Sequence, residues 1–177
     1  HFGEAVAFVV AETVNAAWDA VELIEFDVEI LDAVVSAEAA LADDAPRLYD
    51  DHDNLCMDWQ TGDRAAVDAA FAGAAHVTKL RIPINRVAVA PMEPRAALAQ
   101  YDAETGRFTL HNGSQGVWGM RQTLAADVLK IEPEKLRVIS ENVGGSFGMK
   151  SQQYAEPVLA LPAARDLGRP LRWCADR

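Results

Sequence analysis

Three short segments hold the residue types from which a polar binding site can be built. The first is Asn142-Val143-Gly144-Gly145-Ser146-Phe147-Gly148-Met149-Lys150, between an expected strand and an expected helix. Its glycines let the backbone enter left-handed conformations and let a ligand come close. Successive amide N–H groups leading into a helix suit phosphate or another oxyanion, and Lys150 adds a point charge. The spacing matches neither G-x-G-x-x-G nor a loop ending in G-K-[ST], so on pattern alone a tight strand-to-helix turn accounts for it. Phe147 is the feature such a turn leaves over, because a large apolar side chain between glycine-bearing positions wants something to pack against.

The second segment, Asn112-Gly113-Ser114-Gln115-Gly116, also follows a strand and precedes a helix. The Gln115 amide offers both donor and acceptor to a polar ligand; the plainer alternative is a helix start capped by Ser114. In the third, Pro91-Met92-Glu93-Pro94-Arg95, the pair Glu93 and Arg95 suits either a substrate or a surface or structural ion pair, the latter being simpler.

Conventional catalytic sets are missing. His52, His76 and His111 stand far apart with no H-x-x-H or H-E-x-x-H pair, and no G-x-S-x-G elbow occurs. The Asp-rich stretch from Asp43 to Asn54 lacks the ligand spacing of a calcium loop. Cys56 and Cys174 cannot build a four-thiolate site, and are expected to be neither bridged nor metal ligands.

The 177 residues are 50% apolar and carry a net charge of -11. Residues 1–60 hold 15 acids against Arg47 alone, a balance of -14, and residues 61–177 hold 12 acids against 15 bases, +3. That asymmetry suggests two modules and argues against general nucleic-acid binding, which needs a basic stripe. No run approaches the ~18 apolar residues of a membrane helix. The opening His1-Phe2-Gly3-Glu4 reads as no targeting sequence, which makes the cytoplasm the default location.

These candidates need elements to hold them. Residues 5–10 read as a buried strand, Thr13 caps a helix over 14–22, and Phe26, Val28 and Ile30 alternate as a second strand. Periodicity is lost over 33–60. Asp63 then caps a helix ending at Gly73. Strands are expected at 76–82, 86–90, 96–101, 107–112 and 137–141, a helix at 117–129, a helix from near Ser151 to Gly168, and a strand from Leu171. Pro162 should kink or break the last helix. The class is α/β (α+β), and the abrupt start and end suggest a piece of a larger protein.

These residues, in this order, resemble the molybdenum-binding large subunit of the xanthine dehydrogenase, aldehyde oxidase and carbon monoxide dehydrogenase family. The resemblance runs through Gly3-Glu4-Ala5-Val6-Ala7, Phe26-Asp27-Val28-Glu29, Asn54-Leu55-Cys56, Gly62-Asp63, Pro91-Met92-Glu93-Pro94-Arg95-Ala96, Gly113-Ser114-Gln115, Val143 to Lys150 and Gly168-Arg169-Pro170-Leu171. It implies the C-terminal part of an α/β hammerhead domain at 1–36, a linker at 37–60, and the N-terminal part of the first molybdopterin-binding domain at 61–177. It implies a hydroxylase that takes its oxygen from water and oxidises an aldehyde, carbon monoxide or an aromatic heterocycle. The cofactor is molybdopterin, in bacteria often the cytosine dinucleotide form, with iron–sulfur clusters and FAD on small and medium partner subunits.

Carried over by motif position, Gln115 hydrogen-bonds near the molybdenum's oxo ligand, while Ser146, Phe147 and Gly148 lie against the metal centre and pterin. Two positions depart from the family. Ser146 stands where glycine is usual, and Ser151 stands where purine-hydroxylating members carry a substrate-binding glutamate. The family's catalytic glutamate belongs to a far C-terminal part, so the resemblance places no catalytic residue in these 177 and implies that they are inactive alone. Apolar surface left open would favour self-association. The rivals are a free-standing binding or assembly module of the same fold, and a nucleotide-binding domain using 143–148 for phosphate.

Overall fold

The computed structural model describes residues 3–176, which group into two units. One comprises residues 11–84; the other joins the N-terminal residues through Val10 to residues 85 onward.

The second of these units is built on a four-stranded sheet: β1 (Ala96–Asp102), β2 (Arg107–Asn112), β3 (Leu136–Ile139) and β4 (Leu171–Cys174), in the spatial order β3-β2-β1-β4. β1 pairs antiparallel with β2 and β4, and β2 pairs parallel with β3. Strict alternation puts Ala97 and Ala99 of β1, and Phe108 and Leu110 of β2, on the buried face. Ala99 lies opposite Leu110. Small residues on β1 let α5 (Ala155–Leu167) lie close, and that helix meets them with its own buried Ala160, Leu161 and Ala164.

The hairpin between β1 and β2 closes on Asp102, whose carboxylate accepts from Glu104 N–H at 2.9 Å and Thr105 Oγ1 at 2.6 Å. Gly106 follows at φ +65°, a left-handed conformation that glycine adopts without Cβ strain. The parallel β2–β3 pair needs a crossover connection. It begins with α4 (Val117–Thr123), continues in wider i→i+5 turns over Leu124–Leu129, and buries Met120, Leu124 and Ala125. Arg121 Nε donates to the carbonyls of Pro133 and Leu136, pinning the crossover to the entry of β3.

In the other unit, α1 (Val14–Glu22), α2 (Ala37–Ala40) and α3 (Arg64–Gly73) each begin with a side-chain cap: Thr13, Ser36 and Asp63 accept from the N–H three residues on. Asn54 organises the irregular stretch between α2 and α3. It accepts from Leu48 N–H and donates to the carbonyls of Ala40 and Pro46.

Several expectations are corrected. No strand forms at 5–10, 25–30, 76–82 or 86–90. Phe26, Val28 and Ile30 are 60, 56 and 93% exposed. Alternation encodes a pleated face, but a strand also needs a neighbour to complete its ladder, and the described residues supply none there. The last helix starts at Ala155 rather than near Ser151, and Pro162 sits inside it without breaking it. Proline removes one hydrogen bond, while Leu161 and Ala164 on either side are held against the sheet. Ser114 does not cap α4: its Oγ accepts from Gly116 N–H, and the helix starts at Val117.

Candidate functional site

β2 and β3 run parallel, so their C-terminal ends deliver two loops to the same edge of the sheet: residues 113–116 before α4, and residues 140–150 before α5. Ser140 joins their bases, its Oγ accepting from Ser114 N–H at 3.1 Å. Further out, Gln115 N–H donates to Lys150 O at 3.1 Å, and the Ser146 hydroxyl bonds Gln115 Oε1. The structure therefore brings the Gln115 side chain onto Ser146 of the glycine loop.

The glycine loop is fastened from behind by the third segment. Glu93 N–H donates to Gly144 O at 3.3 Å, and Glu93 Oε2 accepts from Gly144 N–H at 2.6 Å. The same oxygen pairs with Lys150 Nζ at 2.6 Å. The Lys150 side chain is only 1% exposed, against 42% for Glu93. The hydrogen bond from Lys150, then that from Gly144, holds the Glu93 carboxyl below the usual carboxylate range. A Cβ on Gly144 would meet Glu93 Cβ at 2.6 Å, so this close approach requires glycine.

Two sequence expectations change here. Lys150 is not a free point charge for a ligand, because it is buried and spent on Glu93. Glu93 and Arg95 do not pair with each other. The Arg95 guanidinium forms a two-bond fork with Glu156 at 2.9 and 3.0 Å. It also lies 3.7 Å from the Tyr154 ring centroid. Tyr154 in turn donates to Met149 O at 2.6 Å, tying the start of α5 to the end of the loop. Glu156, Tyr154 and Ser140 were not singled out by sequence, since nothing in their spacing predicts partners up to 61 residues away.

The loop's outer part is strained and open. Phe147 has φ +51° and is 81% exposed. That backbone conformation is uncommon for a bulky side chain. Gly148 has φ +93°, and a Cβ there would meet nothing within 4 Å. The N–H groups of Gly145, Ser146, Phe147 and Gly148 find no acceptor among the described residues. A strained aromatic, four uncommitted donors and open space beside them fit a large, acceptor-rich ligand. Among the described residues no cluster of His, Cys, Asp or Glu is arranged to hold a metal ion directly. Cys56 and Cys174 are free and exposed.

The model of the molybdopterin cofactor-binding domain matches residues 48–177. The chain is 35% identical to the carbon monoxide dehydrogenase large chain of Afipia carboxidovorans, over 97% of this chain and 23% of that protein. It is 32% identical to the nicotine 6-hydroxylase large subunit of Paenarthrobacter nicotinovorans, over 100% of this chain and 21% of that protein. Among solved structures, a Cu,Mo-CO dehydrogenase superimposes with a TM-score of 0.84 at 30% identity, covering 93% of this chain and 22% of that one. The quinoline 2-oxidoreductase of Pseudomonas putida gives 0.77 at 32% identity, covering 94% and 21%. The chain thus spans under a quarter of the length of these relatives. With its mixed α/β fold and the loop pair at one sheet edge, it belongs to the molybdopterin cofactor-binding domain family of the molybdenum hydroxylase large subunits.

Proposed function

We propose that these residues form one wall of the molybdenum cofactor site in a hydroxylase large subunit. The observation that carries this is the joining of Gln115 to Ser146, with a row of uncommitted N–H donors beside open space. Gln115 and the backbone of Ser146, Phe147 and Gly148 would hold the cofactor, in its cytosine dinucleotide form. When bound, the cofactor supplies a two-electron acceptor and the site at which oxygen from water reaches the substrate. The chain's residues bind and orient it, Phe147 gives an apolar surface, and the Glu93–Lys150 pair holds the loop in place. Residues 1–36 correspond in this reading to the end of a hammerhead domain, and 61–177 to the start of the first molybdopterin-binding domain.

The substrate class is an aldehyde, carbon monoxide or an aromatic heterocycle. Purines fit less well, because Ser151 stands at the position of the purine-binding glutamate and spends its hydroxyl on Gly148 O at 2.6 Å. Electrons would leave through iron–sulfur and FAD partner subunits in the cytoplasm; no helix of the described residues is long and apolar enough to cross a membrane. Lys150 offers no free cation to a nucleotide phosphate at this loop, since Glu93 already pairs with it.

The test is metal and pterin analysis of the protein expressed from its complete gene, with dye-coupled oxidation of aldehydes, carbon monoxide and N-heterocycles. Stoichiometric molybdenum and turnover of one class support the proposal. A pure, folded protein without molybdenum, in a host that makes the cofactor, refutes it. The 177 residues alone are expected to turn over none of these substrates.

A further inference from the structure

Gln115, Ser146 and Lys150 close a ring of hydrogen bonds across the two loops. Gln115 N–H donates to Lys150 O at 3.1 Å, Lys150 N–H donates to Ser146 Oγ at 2.9 Å, and Ser146 Oγ bonds the Gln115 side-chain oxygen. A hydroxyl has one proton and two lone pairs. The Lys150 amide occupies a lone pair on Oγ, and the hydroxyl proton goes to Gln115 Oε1.

Turning Gln115 Nε2 toward Ser146 Oγ would fill its second lone pair and leave the hydroxyl proton without an acceptor among the described residues. The network therefore favours Oε1 at that place. A glutamine side chain has two nearly isosteric ends, one accepting and one donating, and its network decides between them. With Oε1 engaged by Ser146, the Nε2 end points away from that bond. Neither of its two N–H groups has an acceptor among the described residues. A residue without a hydroxyl at 146 leaves both orientations open.

We propose that Ser146 is a positioning residue that fixes the polarity of the Gln115 amide, so that Gln115 meets its ligand as a donor and faces an oxo or other anionic oxygen. The inference rests on the molybdenum reading above and specifies the role of Ser146 within it. Lys150 strengthens the device, because its backbone supplies both remaining links while its buried side chain is anchored to Glu93.

Three variants of the protein expressed from its complete gene separate the lock from the donor. Ser146→Ala removes the hydroxyl, Ser146→Thr keeps it, and Gln115→Glu keeps an acceptor for Ser146 but deletes the N–H donors. Each is read by molybdenum content, by the Mo(V) electron paramagnetic resonance spectrum, and by kcat and KM. Ser146→Ala is expected to retain molybdenum within about twofold of wild type. Its Mo(V) signal should change and its kcat fall about tenfold at constant KM, the scale of one lost neutral hydrogen bond. Ser146→Thr is expected to restore both, and Gln115→Glu to lose turnover at least as severely as Ser146→Ala. A wild-type spectrum and wild-type kcat in Ser146→Ala overturn the proposal, as does Ser146→Thr behaving no better than Ser146→Ala. Neutron crystal structures of wild type and Ser146→Ala, which tell the deuterated amide nitrogen from its oxygen, judge the lock without any cofactor. One Gln115 orientation that splits into two in the variant supports it, and the same orientation in both overturns it. Absence of molybdenum from every variant and the wild type counts against the functional reading, while those structures still decide the lock.

Discussion

Every buried side chain of the described residues lies between Pro91 and Leu171, whereas residues 11–84 contribute none. The two regions are not short of apolar residues to different degrees: Trp18, Phe26, Ile30, Trp59, Phe71 and Ile82 all belong to the region without a core, and all are more than half exposed. What separates them is pairing over long range. Around β1 and β2, strands distant in sequence align so that Ala99, Leu110 and Leu136 fall on one face under α5 and the α4 crossover. In 11–84, order rests on capped helices, the Asn54 hydrogen bonds and the exposed Arg81–Glu38 ion pair, with no buried strand pairing. The region that carries the candidate site therefore carries the scaffold that positions it.

The largest expected effect tests that contrast. Leu110→Ala, at a fully buried position, should cost about 2–5 kcal/mol, read as lost hydrogen-exchange protection in β1 and β2. In α3 the Phe71 side chain is 61% exposed. Phe71→Ala should therefore stay within about 0.5 kcal/mol of wild type, by the same measure for α3. Comparable losses would show that 11–84 has a core of its own in the assembled protein.

The site's support should respond asymmetrically. Glu93→Ala strands a buried ammonium and removes the acceptor for Gly144 N–H, and should cost about 3 kcal/mol or more. Lys150→Ala leaves behind a carboxylate that water already reaches, so the loop should loosen less. Exchange rates of the 144–150 amides in the two variants rank them, and the reverse order would mean that the ion pair does not anchor the loop.

How much of this was legible in the sequence depends on the range of the signal. Thr13 and Asp63 announce their helices because a cap acts over three residues. Asp102 and Gly106 mark the hairpin, and Gly168, at φ +62°, ends α5 for the same local reason. Alternation at 26–30 was misleading, since periodicity specifies a face but not the neighbour that must pair with it. At the site, motif order singled out the two segments that the Gln115–Ser146 contact joins. The Glu93–Lys150 anchor was not, because its partners are 57 residues apart and Lys150 looks in sequence like a solvent-facing charge.

A smaller effect concerns the caps. Asp63→Ala should destabilise α3 by about 1 kcal/mol and leave the β1–β2 amides unchanged, as amide exchange can show. Transmission of the loss to the sheet would tie the two regions together energetically.

The smallest effect is one of pH. Glu93 has a lowered pKa in the folded chain, so its contribution is present above the ordinary glutamate value of about 4.3 and is lost as pH falls below that towards the lowered one. Exchange of the Gly144 amide should accelerate relative to the β2 amides only on acidification through that window. Acceleration above about pH 6 would assign the loop's stability to some other group.

Cofactor occupancy in two variants of the complete protein tests the central claim most directly. Gly148→Val forces a branched side chain onto a residue at φ +93°, in the open space assigned to the cofactor, so molybdenum content should collapse. Gln115→Ala removes a single amide, so metal should remain while turnover falls by about tenfold or more. Molybdenum content and turnover that are the same in both variants would contradict the assignment of the 146–148 loop and Gln115 to the cofactor site.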